Sequence, residues 1–168
     1  FVFAALAWFL IAALANPVVF RLFEGAQTRE EFLFRVSSFD IPYRDVELLG
    51  IAVVMILGVS LKFLPHAYGF RMPAPKWRGF VFWGLNGAIA GSAATFLGAI
   101  ALGKFWLLIP NELCALLFLI IAIGTVWQHR ILGSVHSSEQ DRSVKFIRTA
   151  YVWFVIAMAM LVFAPIYD

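Results

Sequence analysis

Long apolar runs alternate with short polar connections along this chain, and five of the runs have the length of a membrane-crossing helix. A hydrocarbon core about 30 Å thick takes roughly 20 helical residues at about 1.5 Å each. The pattern predicts spans over about residues 1–19, 45–64, 79–102, 107–127 and 144–164. Lipid offers no partner to a backbone N–H or C=O, so the expected fold class is all-α: a polytopic transmembrane helix bundle forming one domain over residues 1–168.

Prolines punctuate the runs. Asn16-Pro17 loosens the end of the first and Pro65 stops the second, while Pro110 sits near the start of the fourth, where a missing N–H costs least. Pro165 ends the fifth, and Ser143 is a candidate N-cap for it. Between the first two spans, residues 21–44 interleave Phe23, Phe32, Phe34 and Phe39 with Arg and Glu, a pattern that suits a helix lying in the interface or an ordinary loop.

Composition agrees with the pattern: 62% of residues are hydrophobic and 14% charged, against about 45–50% and 25% in soluble domains. The net charge of +3 and a pI near 9.3 do not point to nucleic acid, because the basic residues sit between apolar helices, where they set topology. Lys62, Arg71, Lys76, Arg78, Arg130, Arg142, Lys145 and Arg148 fall on one side, and Arg21, Arg29, Arg35, Arg44 and Lys104 on the other. The positive-inside rule places the first side, with connections 65–78 and 128–142, in the cytoplasm. Phe1 opens directly in an apolar helix without a basic flank and the chain stops after another apolar run, so an internal piece of a longer polytopic protein is expected. Its partners are then the bilayer and the missing helices of the same chain.

In the third span Gly84, Gly87, Gly91, Ala94 or Thr95, and Gly98 recur every three or four residues, a stripe that lets backbones touch and makes this helix the expected centre of packing, with Gly87 inside a contact. Asn86 beside the stripe must find a partner, either a neighbouring helix or a ligand. Gly50 and Gly58 mark the second span, and Lys62 is placed to reach the headgroups. Glu47 and Glu112 are intramembrane acids, each expected in a first helical turn where the dipole favours a carboxylate, or else lining a substrate path.

Candidate chemistry is sparse. The single cysteine, Cys114, reads as a packing residue, and no Walker, H-E-x-x-H or G-x-S-x-G sequence occurs. Three histidines, His66, His129 and His136, are present. His66 and His129 close parallel helices at one membrane face, so they are the candidate metal or cofactor ligands, through haem iron or copper, with helix C-terminal capping as the alternative.

The stretch RDVELLGIAVVMILGVSLKFLPHAYGFR, residues 44–71, resembles a recurring unit of the NnrS family, in which an Arg and a polar or His residue open a helix of form LGxxxxMIxGVxxKxxP followed shortly by Gly. The segment DRSVKFIRTAYVWFVIAMAMLVFAPIYD is similar to the helix preceding the next such unit. The resemblance implies a haem- and copper-containing protein of the bacterial inner membrane, linked to nitric oxide or nitrosative stress. Asp45 stands where other units carry His after the opening Arg, so that ligand would lie outside this chain. Arg44, Gly50, Met55, Gly58, Lys62, Pro65 and Gly69 carry the likeness and read as packing and loop residues. The rival readings are a transporter or permease segment, with a path past Asn86, Glu47 and Glu112, and a non-catalytic subunit of a respiratory complex. Prolines at helix ends count against the transporter.

Overall fold

A computed structural model describes residues 1–133 and 141–163, and among these all the regular structure is helical, with five helices long and apolar enough to cross a membrane. In order they are α1 (Val2–Glu24), a continuous helix made of α2 (Arg29–Asp45), a π-helical segment (Val46–Val53) and α3 (Val54–Tyr68), then α4 (Pro75–Leu102), α5 (Leu108–His129) and α6 (Asp141–Phe163). A 3-10 turn, Phe105–Leu107, leads into α5. This is an all-α integral membrane protein.

Local chemistry sets the ends of the helices. Thr28 caps α2 by accepting from the Glu31 N–H at 3.1 Å, while Glu31 reaches back to the Gln27 N–H at 3.0 Å, a capping box shifted by one residue. Arg35 pairs with Glu31 and donates to the Leu22 carbonyl at 2.6 Å, tying α2 to an orphan acceptor at the end of α1. Gly69 and Gly103 close α3 and α4 in the left-handed conformation, at φ 68° and 61°, where a β-carbon would be strained. Pro75 occupies the first turn of α4.

Burial recurs at heptad spacing, the repeat of left-handed helix packing. In α3 it falls on Val54, Leu57, Leu61 and Leu64, in α4 on Val81, Leu85, Ala88, Ser92 and Ala99, and in α6 on Val144, Tyr151 and Met158. The glycine stripe of α4 meets α5 in one antiparallel register: a β-carbon on Gly84 would touch Ile121 at 3.0 Å, one on Gly91 would touch Cys114 Sγ at 3.0 Å, and one on Gly98 would touch Leu107 at 3.4 Å. Each step is seven residues on both sides, the last reaching the 3-10 turn that leads into α5. Three further glycines receive aromatic rings: Gly50 takes Trp8, Gly58 takes Phe1 and Gly124 takes Trp77. Because α1 runs against α3, Phe1 and Trp8 meet Gly58 and Gly50 in reverse order.

Several expectations change. Residues 29–44 are neither a separate interfacial helix nor a loop: they form α2, which runs straight into the second span. At about 1.5 Å per residue the 40 residues of Arg29–Tyr68 reach roughly 60 Å, twice the hydrocarbon thickness, so only part of this helix can span. Pro17 and Pro65 lie inside their helices, which continue to Glu24 and Tyr68, since neighbouring packing outweighs one lost backbone bond. Ser143 lies within α6 instead of capping it. Gly87 is exposed with nothing within 4 Å of an added β-carbon, so it faces away from the other described helices and the predicted contact there is absent among them. The stripe follows Gly84, Gly91 and Gly98, whose seven-residue step stays on one face while Gly87 drifts off it. α4 is central to the packing as expected, with α5 against one flank and α2, the π-helical segment and α3 against the other.

Two tests follow from the register. Gly91→Cys should cross-link to Cys114 under mild oxidation in membranes, and Gly87→Cys should not; the opposite result would refute this packing. Gly124→Leu should lower stability by about 1–3 kcal/mol, because the Trp77 ring must be displaced, whereas Gly87→Leu should leave the thermal unfolding midpoint unchanged.

Candidate functional site

The connection between α3 and α4 folds over the end of α5, and the contact is reciprocal. The Arg71 N–H donates to the His129 carbonyl at 3.2 Å, and His129 Nδ1 lies 3.1 Å from the Arg71 carbonyl. A carbonyl has no proton to give, so Nδ1 carries the hydrogen and Nε2 holds the lone pair. The ring is fully buried, and Nε2 has no hydrogen-bond partner among the described residues. Phe70 and Pro73, both buried, anchor the same connection.

His66 differs. It is exposed, and its Nδ1–H donates to the Lys62 carbonyl of its own helix at 2.7 Å. Both histidines belong to the end of the bundle where the 69–74 connection meets the end of α5, as the parallel course of α3 and α5 requires. His136 lies outside the described residues. No group of three or more His, Cys, Asp or Glu side chains comes together in a metal-binding arrangement among the described residues. Asp45 is half-buried where α2 gives way to the π-helical segment.

The other polar candidates divide into structural and unexplained. Asn86 Oδ1 accepts from Trp8 Nε1 at 2.8 Å, and its Nδ2 donates to the Phe82 carbonyl at 2.7 Å, so this amide joins α1 to α4. Neither Trp8 nor a second such link, Ser92 to Asn111 Oδ1 at 2.8 Å between α4 and α5, stands out in the sequence, because a partner 78 or 19 residues away leaves no local signal. Thr95 and Thr125 satisfy their hydroxyls on carbonyls of their own helices. Among the described residues, Trp77 Nε1 and the Tyr151 hydroxyl are buried without a hydrogen-bond partner.

The dipole explanation fails for both acids. Glu47 is inside a continuous helix, in the π-helical segment, where the N–H groups are already engaged, and it acts on the Tyr43 hydroxyl one turn before it. Glu112 is the fifth residue of α5, past its first turn, and half-buried beside Asn111. Lys62 is exposed near the end of α3, as a snorkelling lysine should be. Cys114 packs on Gly91.

Compared with known proteins, the chain matches no protein-family model, no curated protein and no solved structure. What is established is therefore the class: a polytopic α-helical membrane protein.

The Trp8–Asn86 bond should be worth about 0.6 kcal/mol, the mean for interhelical bonds in membranes. A double-mutant cycle of Trp8→Phe and Asn86→Ala, read by unfolding in detergent, should return a coupling of that order. Additive losses would mean that the two side chains do not interact.

Proposed function

We propose that this chain is part of the helical membrane domain of a haem- or copper-associated protein similar to the NnrS family, residing in a bacterial inner membrane and serving nitric oxide or nitrosative stress handling. The observation that supports it is the state of His129. Its ring is oriented by a backbone carbonyl through Nδ1–H, it is shut off from solvent, and its Nε2 lone pair is unused. That is the arrangement in which imidazoles ligate metals, with the second nitrogen fixed by a carbonyl so that tautomer and aim are set in advance.

The donor chemistry of His129 fits haem iron or copper as one ligand. When bound, such a group would supply the redox and nitric-oxide-binding chemistry. Within this chain, the Arg71 carbonyl orients the ring, burial keeps water from Nε2, and His66 at the same end offers a second imidazole whose Nδ1 is likewise committed to a carbonyl. The described residues do not assemble a complete ligand set.

The test is the Soret band of the full-length protein purified in detergent. His129→Asn keeps an N–H to meet the Arg71 carbonyl but removes the Nε2 lone pair. It should abolish or shift the band while the helical content holds, and His66→Ala should reduce it less. Full haem and copper content in both single variants and in the double variant would refute the assignment. A second reading, transport, draws on the π-helical segment around Glu47, because such segments gather at functional sites. Substrate uptake in liposomes that depends on Glu47 and ignores His129 would favour it.

A further inference from the structure

Beside the His129 junction, a groove of about 770 Å³ opens between α5 and α6. Ile123 and Val126 of α5 form one wall, and Val152, Val155 and Ile156 of α6 the other. One end is different in kind: Arg71 from the α3–α4 connection and Arg130 from the end of α5 both line it, together with Trp127. We propose that this groove seats an anionic phospholipid, with its phosphate on Arg71 and Arg130 and an acyl chain along the aliphatic walls.

Charge, depth and backbone conformation each point this way. Among the described residues the ion pairs are Arg35–Glu31 and Arg44–Asp40, both on α2, so no carboxylate on that part of the chain neutralises Arg71 or Arg130. Two exposed guanidinium groups at the mouth of an apolar slot match a phosphate that carries a hydrocarbon tail, since Arg binds phosphate in a bidentate way. A helix of another protein would have to bring carboxylates and an apolar face in the same arrangement. Basic pockets between transmembrane helices are where anionic headgroups are held.

Trp127 is 80% exposed at the same end. Indoles in that position settle at headgroup level, which puts the two arginines at the depth of a phosphate and the aliphatic walls in the hydrocarbon. Arg148 does not compete for the anion. Its guanidinium donates to the Ile131 carbonyl at 2.9 Å and to the Gly133 carbonyl, which ties α6 to the turn after α5 and holds the mouth in shape.

Arg130 is also the one non-glycine residue with positive φ, at 52°, among the described residues. It closes α5 in the position where glycine is the usual choice, with the Ile131 N–H returning to the Val126 carbonyl at 3.1 Å. A β-carbon there is strained, and a strained residue held in place directs attention to what its side chain does. Here the left-handed cap carries the guanidinium to the groove mouth.

The experiment uses the full-length protein and compares retention of phosphatidylglycerol with phosphatidylcholine of matched chains, by native mass spectrometry from detergent. The expected result is a preference of tenfold or more for the anionic lipid. Arg71→Gln should lower it about fivefold, the effect of one basic residue near a membrane surface. Arg130→Gly separates binding from folding: it should relieve the strained cap and leave the protein at least as stable, yet weaken retention by a similar factor. Val155→Phe should narrow the slot and reduce retention with every charge in place. Brominated phosphatidylglycerol should quench the Trp127 fluorescence, taken as the difference from Trp127→Phe. Equal retention of both lipids, an unchanged preference in the Arg71→Gln/Arg130→Gly double variant, no quenching because another helix covers the groove, or displacement by soluble glycerol phosphate at millimolar concentration would each overturn the proposal.

Discussion

Rings seated on bare helix backbone hold this bundle together. Lipid tails are as apolar as leucine, so helices gain little by hiding apolar side chains from one another, and association depends on close fit and on interhelical hydrogen bonds. Trp8 supplies both. Its ring lies on Gly50, where an added β-carbon would stand 2.8 Å from Cγ, and its indole N–H closes on Asn86 at 2.8 Å. One side chain thereby fixes α1 against the second span and against α4. Phe1 repeats the arrangement one heptad earlier, sitting on Gly58 and meeting Phe82 edge-to-face with ring centroids 5.2 Å apart. On the other flank Trp77 is seated on Gly124, and small α4 residues accept α5 side chains at seven-residue intervals.

That scheme explains why glycine, poor in soluble helices, is used so freely inside these spans. A glycine facing a neighbour removes the atoms that would keep two backbones apart, and Gly50, Gly58, Gly84, Gly91 and Gly124 all do this. Gly87 does not, and its exposure shows that the residue type alone confers no contact. The π-helical segment bears on the same point, because it carries Gly50 to the Trp8 ring in the middle of a helix too long to lie wholly within the bilayer.

The end of the bundle around Arg71, His129, Arg130 and Arg148 concentrates the unusual features of the chain. A backbone connection and a helix terminus satisfy each other there, one imidazole nitrogen is left bare, and a left-handed arginine ends the helix. Arg148 clasps the following turn. Two of these features share a physical cause: α5 ends with carbonyls that need donors, and the chain answers them with the Arg71 N–H and the reversed bonds of the Arg130 cap, while the Arg148 guanidinium takes carbonyls of the turn that follows. The proposed metal ligand and the proposed lipid site adjoin because both are built from the same helix terminus.

The sequence by itself determined the class and the count: five apolar runs of spanning length, a run of small residues every three or four positions in the third span, and Cys114 and Asn86 as packing or linking residues. Those are consequences of solvent and periodicity, which act locally. It also placed His66 and His129 at one end, since connected helices must alternate direction. Only the tertiary structure decided that Trp8 meets both Gly50 and Asn86, that Gly87 faces outward, that Asn111 bonds Ser92, and that residues 29–44 extend a span. Only the structure, too, separated buried His129 from exposed His66. Each of these depends on which distant residue lies across an interface, and the pattern along a single helix holds no record of its partner's register.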